Sequence, residues 1–119
     1  MREIIFYRTS KNKVPVENFL DSLSDKHVEK ILWVLRLIKE LDRIPVEYFK
    51  KLENTNDIWE VRAGYGNNEF RLLGFWHKSN FIVLTNGFHK KTQKTPKTEI
   101  AIAEKRKKDY IERSQNGSS

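Results

Sequence analysis

The chain has 119 residues, no cysteine, 33% charged residues and a formal net charge of +7. This length fits one domain that can bury a core without a staple, and the lack of cysteine excludes disulfides and thiolate metal sites. Hydrophobic residues make up 38%, with three Trp and seven Phe, which excludes a chain disordered for want of apolar surface and leaves a basic domain suited to a polyanionic partner.

Residues 3–7 are rich in β-branched and aromatic side chains and predict a short first strand. Residues 1–12 are too polar for the apolar stretch of a signal peptide, and no apolar run approaches the roughly 20 residues of a membrane span, so a cytoplasmic location is expected. Pro15 opens a short helix whose apolar side is Val16, Phe19, Leu20 and Leu23. Ser24 is an N-cap for a longer helix, with Val28, Ile31, Leu32, Leu35, Ile38 and Leu41 as its apolar stripe and Pro45 beyond its end. The two helices predict an antiparallel helical hairpin. Residues 58–63, 69–77 and 81–85 predict three strands, the last with Phe88 as its furthest end, separated by turns at 64–68 and 78–80. Turns this short make the strands antiparallel neighbours. Thr95 as N-cap and Pro96 at the first helical position start a final helix running to about Arg113. The order β-α-α-β-β-β-α describes an α+β domain over residues 1–113, with helices on one antiparallel sheet and a disordered tail at 114–119.

Charge is unevenly distributed: residues 1–13 carry +3, 14–60 carry −3, 61–85 carry +2 and 86–113 carry +5. His27, His77 and His89 show no ligand spacing, so no metal or other cofactor is expected. No phosphate loop, dinucleotide fingerprint or nucleophile elbow is present. What remains is a set of cations on or beside strands. Alternation puts Glu60 and Arg62 on one face and Trp59, Val61 and Ala63 on the other, so Arg62 can stand on the open face of the sheet. Arg71 opposes Phe70 and Leu72 in the same way. The following stretch, 87–96, carries Phe88, His89, Lys90, Lys91 and Lys94, which could grip phosphate and stack a base. Each of these features has an ordinary reading as a solvated face or loop; a functional reading requires that they converge. Metal-independent RNA cleavage needs a base for the ribose 2′-hydroxyl, cations for the phosphorane and a proton for the leaving oxygen. Arg suits the second task, and Lys crowded by other cations moves toward the first.

The runs Ile58-Trp59-Glu60-Val61-Arg62, Phe70-Arg71-Leu72-Leu73 and Asn86-Gly87-Phe88-His89-Lys90-Lys91-Thr92-Gln93-Lys94-Thr95-Pro96 resemble the phage-derived, HigB-like branch of the RelE toxin superfamily of type II toxin–antitoxin systems. Pro15-Val16-Glu17-Asn18-Phe19-Leu20 and Glu99-Ile100-Ala101 with Ala103 fit the same pattern, so the resemblance covers about residues 3–113. It implies the RelE-like fold and a metal-free mRNA endoribonuclease, acting on translating ribosomes by 2′-hydroxyl attack to leave a cyclic phosphate. It implies as partners mRNA on the ribosome and a cognate antitoxin with a helix-turn-helix DNA-binding domain; operator DNA is reached only through the antitoxin complex, and no membrane is involved. Carried over to this chain, Arg62 and Arg71 take transition-state charge, His89 or Lys90 transfers the proton, and Phe88, Lys91, Lys94 and Lys51 hold RNA. Relatives often use a tyrosine near the C-terminal end; Phe88 and Tyr110 are the residues here that could correspond. A non-catalytic RNA- or partner-binding module of the same fold is the alternative.

Overall fold

The computed structural model describes residues 2–116, in the order β1 (Glu3–Phe6), α1 (Pro15–Asp21), α2 (Asp25–Glu40), β2 (Phe49–Lys51), β3 (Trp59–Tyr65), β4 (Asn68–His77), β5 (Phe81–Lys90) and α3 (Lys97–Gln115). The domain is α+β, as the sequence implies, with two differences. A short extra strand, β2, forms because Phe49 buries its ring against Trp59, with centroids 4.9 Å apart. The sheet is mixed rather than antiparallel: its order is β1-β5-β4-β3-β2, and β1 runs parallel to β5. Only β2 to β5 are joined directly by turns and loops that enforce antiparallel pairing. The chain leaves β1 through two helices instead, which frees its direction.

The sheet has helices on both faces. α1 and α2 lie on one face over a core that includes Val16, Ile31, Val34, Ile38, Val61, Phe70, Leu72 and Leu84. Rather than being fixed as a paired hairpin, α1 rests on β5 and β1, and α2 on β3 and β1. Ser24 caps α2 as expected, accepting from the His27 amide. The stripe of α2 is rotated from the predicted one: Val34 is buried, whereas Leu32 and Leu41 are exposed.

α3 crosses the opposite face. Ile100 and Ala103 pack on Ile58, Leu73 and Phe88, and Tyr110 packs near Tyr7, Phe75 and Val83. The Tyr7 phenol donates to Asp109 Oδ2 at 2.6 Å, and the Arg106 guanidinium donates to the Thr85 carbonyl at 2.9 Å, tying the helix to β1 and β5. α3 continues through Gln115, two residues into the segment expected to be a disordered tail, while residues 117–119 lie outside the described residues. Among the described residues no helix is long and apolar enough to cross a membrane.

Two features of β5 set up the functional face. The register slips between Leu73 and Gly74, so that Leu73 faces Asn86 and Gly74 faces Leu84, leaving Thr85 as the extra residue of a bulge. Its hydroxyl donates to the Leu73 carbonyl at 3.1 Å. On one side of the bulge Asn86, Phe88 and Lys90 share the α3 face; on the other, Val83 does. The second feature is Gly87, on the α1 face, where a Cβ would come within 2.5 Å of both Phe19 and Leu72. The seat of α1 therefore requires a residue with no side chain. Gly87→Ala should destabilise the fold by about 1–3 kcal/mol through overpacking, read as a lower urea midpoint with an unchanged slope.

Candidate functional site

α3 covers only part of its face of the sheet. The uncovered part carries alternate residues of three strands: Glu60 and Arg62 of β3, Glu69 and Arg71 of β4, and Lys90 of β5. Arg62 lies directly opposite Arg71, and Glu69 opposite Lys90. Partners opposite one another project from the same face, so strand pairing alone gathers three cations and two carboxylates.

Two guanidiniums side by side would repel; the carboxylates hold them. The Glu60 side chain is only 4% exposed, with Oε1 at 3.6 Å from Arg71 Nε and 3.7 Å from Arg62 Nε. Its Oε2 accepts a hydrogen bond from the Thr95 hydroxyl. Arg71, 5% exposed, donates through Nη1 to Glu69 Oε1 at 3.1 Å and to the Phe70 carbonyl at 2.9 Å. Its buried Nε has no hydrogen-bond acceptor among the described residues and faces Glu60 as a charge partner. Glu69 can reach across because Gly64 stands opposite it; a Cβ there would lie 2.6 Å from the Glu69 carboxylate. The Arg62 side chain is 34% exposed and remains open to a ligand.

Thr95 was expected to cap α3, but its hydroxyl turns to Glu60, and α3 begins after Pro96 without a side-chain cap. Asn86 takes over the anchoring of the helix start, donating to the Glu99 side chain at 2.9 Å and the Glu99 carbonyl at 3.3 Å. The segment between β5 and α3 is thus fastened to the sheet at both ends, which places Lys90 and Lys94 beside Arg62 along a groove of about 600 Å³. Burial holds the Lys90 ammonium below its ordinary value of 10.5, with Arg71 and then Arg62 lowering it further, while Glu60 and Glu69 act in the opposite sense. The cluster can therefore bind a phosphodiester and supply an amine that gives up its proton more readily than an ordinary lysine.

The other expected site residues divide sharply. β5 extends to Lys90, two residues past the furthest end expected for it at Phe88, so residues 87–90 obey strand alternation. That turns His89 away from the arginines: its ring stacks on Phe70 at 5.0 Å, on the α1/α2 face. Phe88 does reach the α3 face, but it is 9% exposed, packed against Ile58, Leu73 and Ala103, and has no free ring surface for a base. Lys51 pairs with Asp57 at 2.9 Å; its neighbour Lys50, opposite Glu60, lines the groove instead. Lys91 is exposed in a shallower hollow beside Arg71 and Lys90. Tyr110 contacts Phe75 and His77, beyond the bulge from the cluster. Sequence reasoning does not single out Glu60, Glu69 or Thr95 as site residues. The signal for the first two is a repeated pattern, Glu-x-Arg at 60–62 and at 69–71, which in a strand puts each acid beside its own arginine. Among the described residues no three His, Asp or Glu side chains gather as a metal-ligand set.

The model of the family described as phage derived protein Gp49-like (DUF891) matches residues 18–108. Among solved structures, the archaeal RelE-RelB complex from Pyrococcus horikoshii OT3 contains a chain 24% identical to this one, with a TM-score of 0.45, over 74% of this chain and 93% of that one. No curated protein matches the sequence significantly.

Removing the buried counter-charge should be costly. Glu60→Gln keeps an acceptor for Thr95 but leaves Arg71 with half-exposed Glu69 as its remaining counter-charge, and should lower unfolding free energy by about 1–3 kcal/mol, measured by urea unfolding at neutral pH. Lys90 carries the opposite sign. Its folded pKa is lowered, so below that value its charge opposes folding. As pH rises from the folded value toward 10.5, the folded chain sheds the proton first and the penalty fades. Lys90→Met should therefore raise the melting temperature at pH 7, with a gain that shrinks as pH approaches the ordinary lysine value; a pH series of melts reads both.

Proposed function

The chain belongs to the phage-derived Gp49-like family, a RelE/HigB-like toxin family, and from that premise we propose that it is the toxin of a type II toxin–antitoxin pair and an endoribonuclease that cuts mRNA on translating ribosomes. The observation that carries this reading is the gathering of Arg62, Arg71 and Lys90 around buried Glu60 on the uncovered sheet face.

On this reading the scissile phosphate lies against Arg62, in the groove that also holds Lys90 and Lys94. Lys90, as the free amine, takes the proton of the ribose 2′-hydroxyl. The 2′-oxygen attacks phosphorus, the bond from phosphorus to the 5′-oxygen breaks, and solvent protonates the leaving oxygen. The products are a 2′,3′-cyclic phosphate and a 5′-hydroxyl. Arg62 pairs with the phosphorane oxygens through its planar fork. Arg71, held by Glu69 and the Phe70 carbonyl, adds fixed positive charge from below. Lys91 and Lys94 contact flanking phosphates. His89 is assigned no part in this scheme. The cytoplasm, where messages are translated, is the place of action, and an antitoxin with a helix-turn-helix domain is the partner that restrains the toxin and brings the pair to operator DNA.

Expression of the chain without a partner should arrest growth, and primer extension on a translated message should reveal new 5′ ends. Arg62→Ala and Lys90→Ala should each cut the cleavage rate by about 10²–10⁴-fold, whereas His89→Ala should stay near wild type. Full toxicity in both of the first two variants would sink the assignment of this site. RNA that is bound by the wild-type chain on translating ribosomes but never cut would favour the binding-module reading instead.

A further inference from the structure

The groove is larger than a phosphate and its ribose require. It runs from Arg62 and Lys90, past Lys94, to a second end walled by Leu52 on one side and by Ile100 and Ala101 of α3 on the other. Its volume of about 600 Å³ is that of a small-molecule pocket. The far end is also rigid before any ligand arrives. Thr55 Oγ1 donates to the Leu52 carbonyl at 2.8 Å and accepts from the Ile58 amide at 3.1 Å. The Asn56 amide donates to Glu104 Oε2 at 2.9 Å, and Lys107 Nζ donates to the Asn56 carbonyl at 2.7 Å. The segment between β2 and β3 is thereby stapled to α3, and the two walls hold a fixed separation.

The chemistry changes along the groove. One end is cationic. The other has Leu52, Ile100 and Ala101 as an apolar lining, with Glu53 and Glu104 also among its walls. Glu104 Oε2 holds the Asn56 amide and leaves Oε1 for a ligand, Lys97 stands one turn before Ala101 toward the cationic end, and Lys107 is committed to a backbone carbonyl. A ligand matching this sequence is anionic at one end and at the other offers a flat apolar face with an edge of N–H donors. We propose that the far end is a nucleobase subsite that selects a base presenting adjacent N–H donors, guanine in preference to uracil. Guanine offers its ring N–H and amino group side by side to a carboxylate. Uracil offers one N–H between two carbonyl oxygens, which a carboxylate repels. The proposal rests on the reading of RNA as the substrate and adds to it a source of sequence preference.

Titration calorimetry of the full chain with guanosine 3′-monophosphate, uridine 3′-monophosphate and inorganic phosphate tests it directly. The guanosine nucleotide should bind about tenfold more tightly than the uridine nucleotide, the scale of one good base-edge contact, and the uridine nucleotide should bind close to phosphate. Ala101→Trp, at an exposed helix position, should fill the apolar end and bring the guanosine nucleotide down to the level of phosphate, while its melting temperature shows that the fold is kept. Glu104→Gln, which retains an acceptor for Asn56, should narrow the gap between the two nucleotides. Equal affinity for both nucleotides, affinity no greater than that for phosphate, or a guanosine preference that survives Ala101→Trp would overturn the proposal. Failure of the nuclease reading looks different: a translated message left uncut while the guanosine preference persists contradicts that reading and leaves the subsite standing.

Discussion

A single buried carboxylate makes this surface possible. Strand pairing sets Arg62 directly opposite Arg71, an arrangement that destabilises a sheet unless something neutralises it. Glu60 does so from the same face, within 3.7 Å of both guanidiniums, in a setting where little solvent screens the attraction. Because both Glu60 and Arg71 are almost fully removed from water, the attraction does not simply add stability. Much of it offsets the desolvation of the two groups, and the larger consequence is that neither can be lost alone. The second oxygen of Glu60 holds Thr95, so the same carboxylate that keeps the arginines together also sets the path by which the chain leaves β5 for α3.

The position of the cluster follows from how incompletely α3 covers the sheet. Ile100, Ala103 and Tyr110 are its inward contacts, and lysines and arginines fill much of the rest of its length. Such a helix shields the apolar strip formed by Ile58, Leu73, Phe88, Phe75 and Val83, and leaves the polar end of the same face open. The bulge at Thr85 makes the strip continuous, because without the extra residue Val83 would point toward α1 and α2. The opposite face shows the contrasting solution. There α1 and α2 together bury a broad apolar core, and Gly87 lets α1 come close enough to seal it.

Much of this fold can be read from the residues. The strand and helix order follows from apolar periodicity and turn chemistry, and the placing of Arg62 on the open face follows from alternation with Trp59 and Val61. The parts that cannot be read share a cause: local pattern does not report where a strand stops or what lies above it. Beyond Phe88 the chain looks like a loop because histidine and lysines break the apolar rhythm, yet pairing with β4 keeps residues 87–90 extended. Once they are extended, Phe88 must point under α3, His89 toward Phe70, and Lys90 toward the arginines. Lys50 and Lys51 pose the same ambiguity of alternate faces, settled by the pairing of Lys50 with Glu60 in a strand three residues long. Thr95 followed by Pro96 is a good helix-start signal, but a buried carboxylate across the groove is a stronger attraction for a hydroxyl than the helix amides.

The charge count of the cluster bears on the proposed chemistry. In the reactive form, with Lys90 as the free amine, Arg62 and Arg71 are balanced by Glu60 and Glu69, so the site is close to neutral and attracts a phosphodiester only moderately. Transfer of the 2′-hydroxyl proton to Lys90 changes both partners at once: the amine becomes positive as a second negative charge develops on the phosphorane. The new attraction arises between groups in the same partly buried groove and exists only after proton transfer. Interactions of this kind lower the barrier without deepening the ground state. The two carboxylates, which look like competitors of the substrate for the arginines, therefore suit the proposed reaction. By neutralising the arginines at rest they weaken uniform binding, and they leave the charge that appears during reaction as the feature the site meets best.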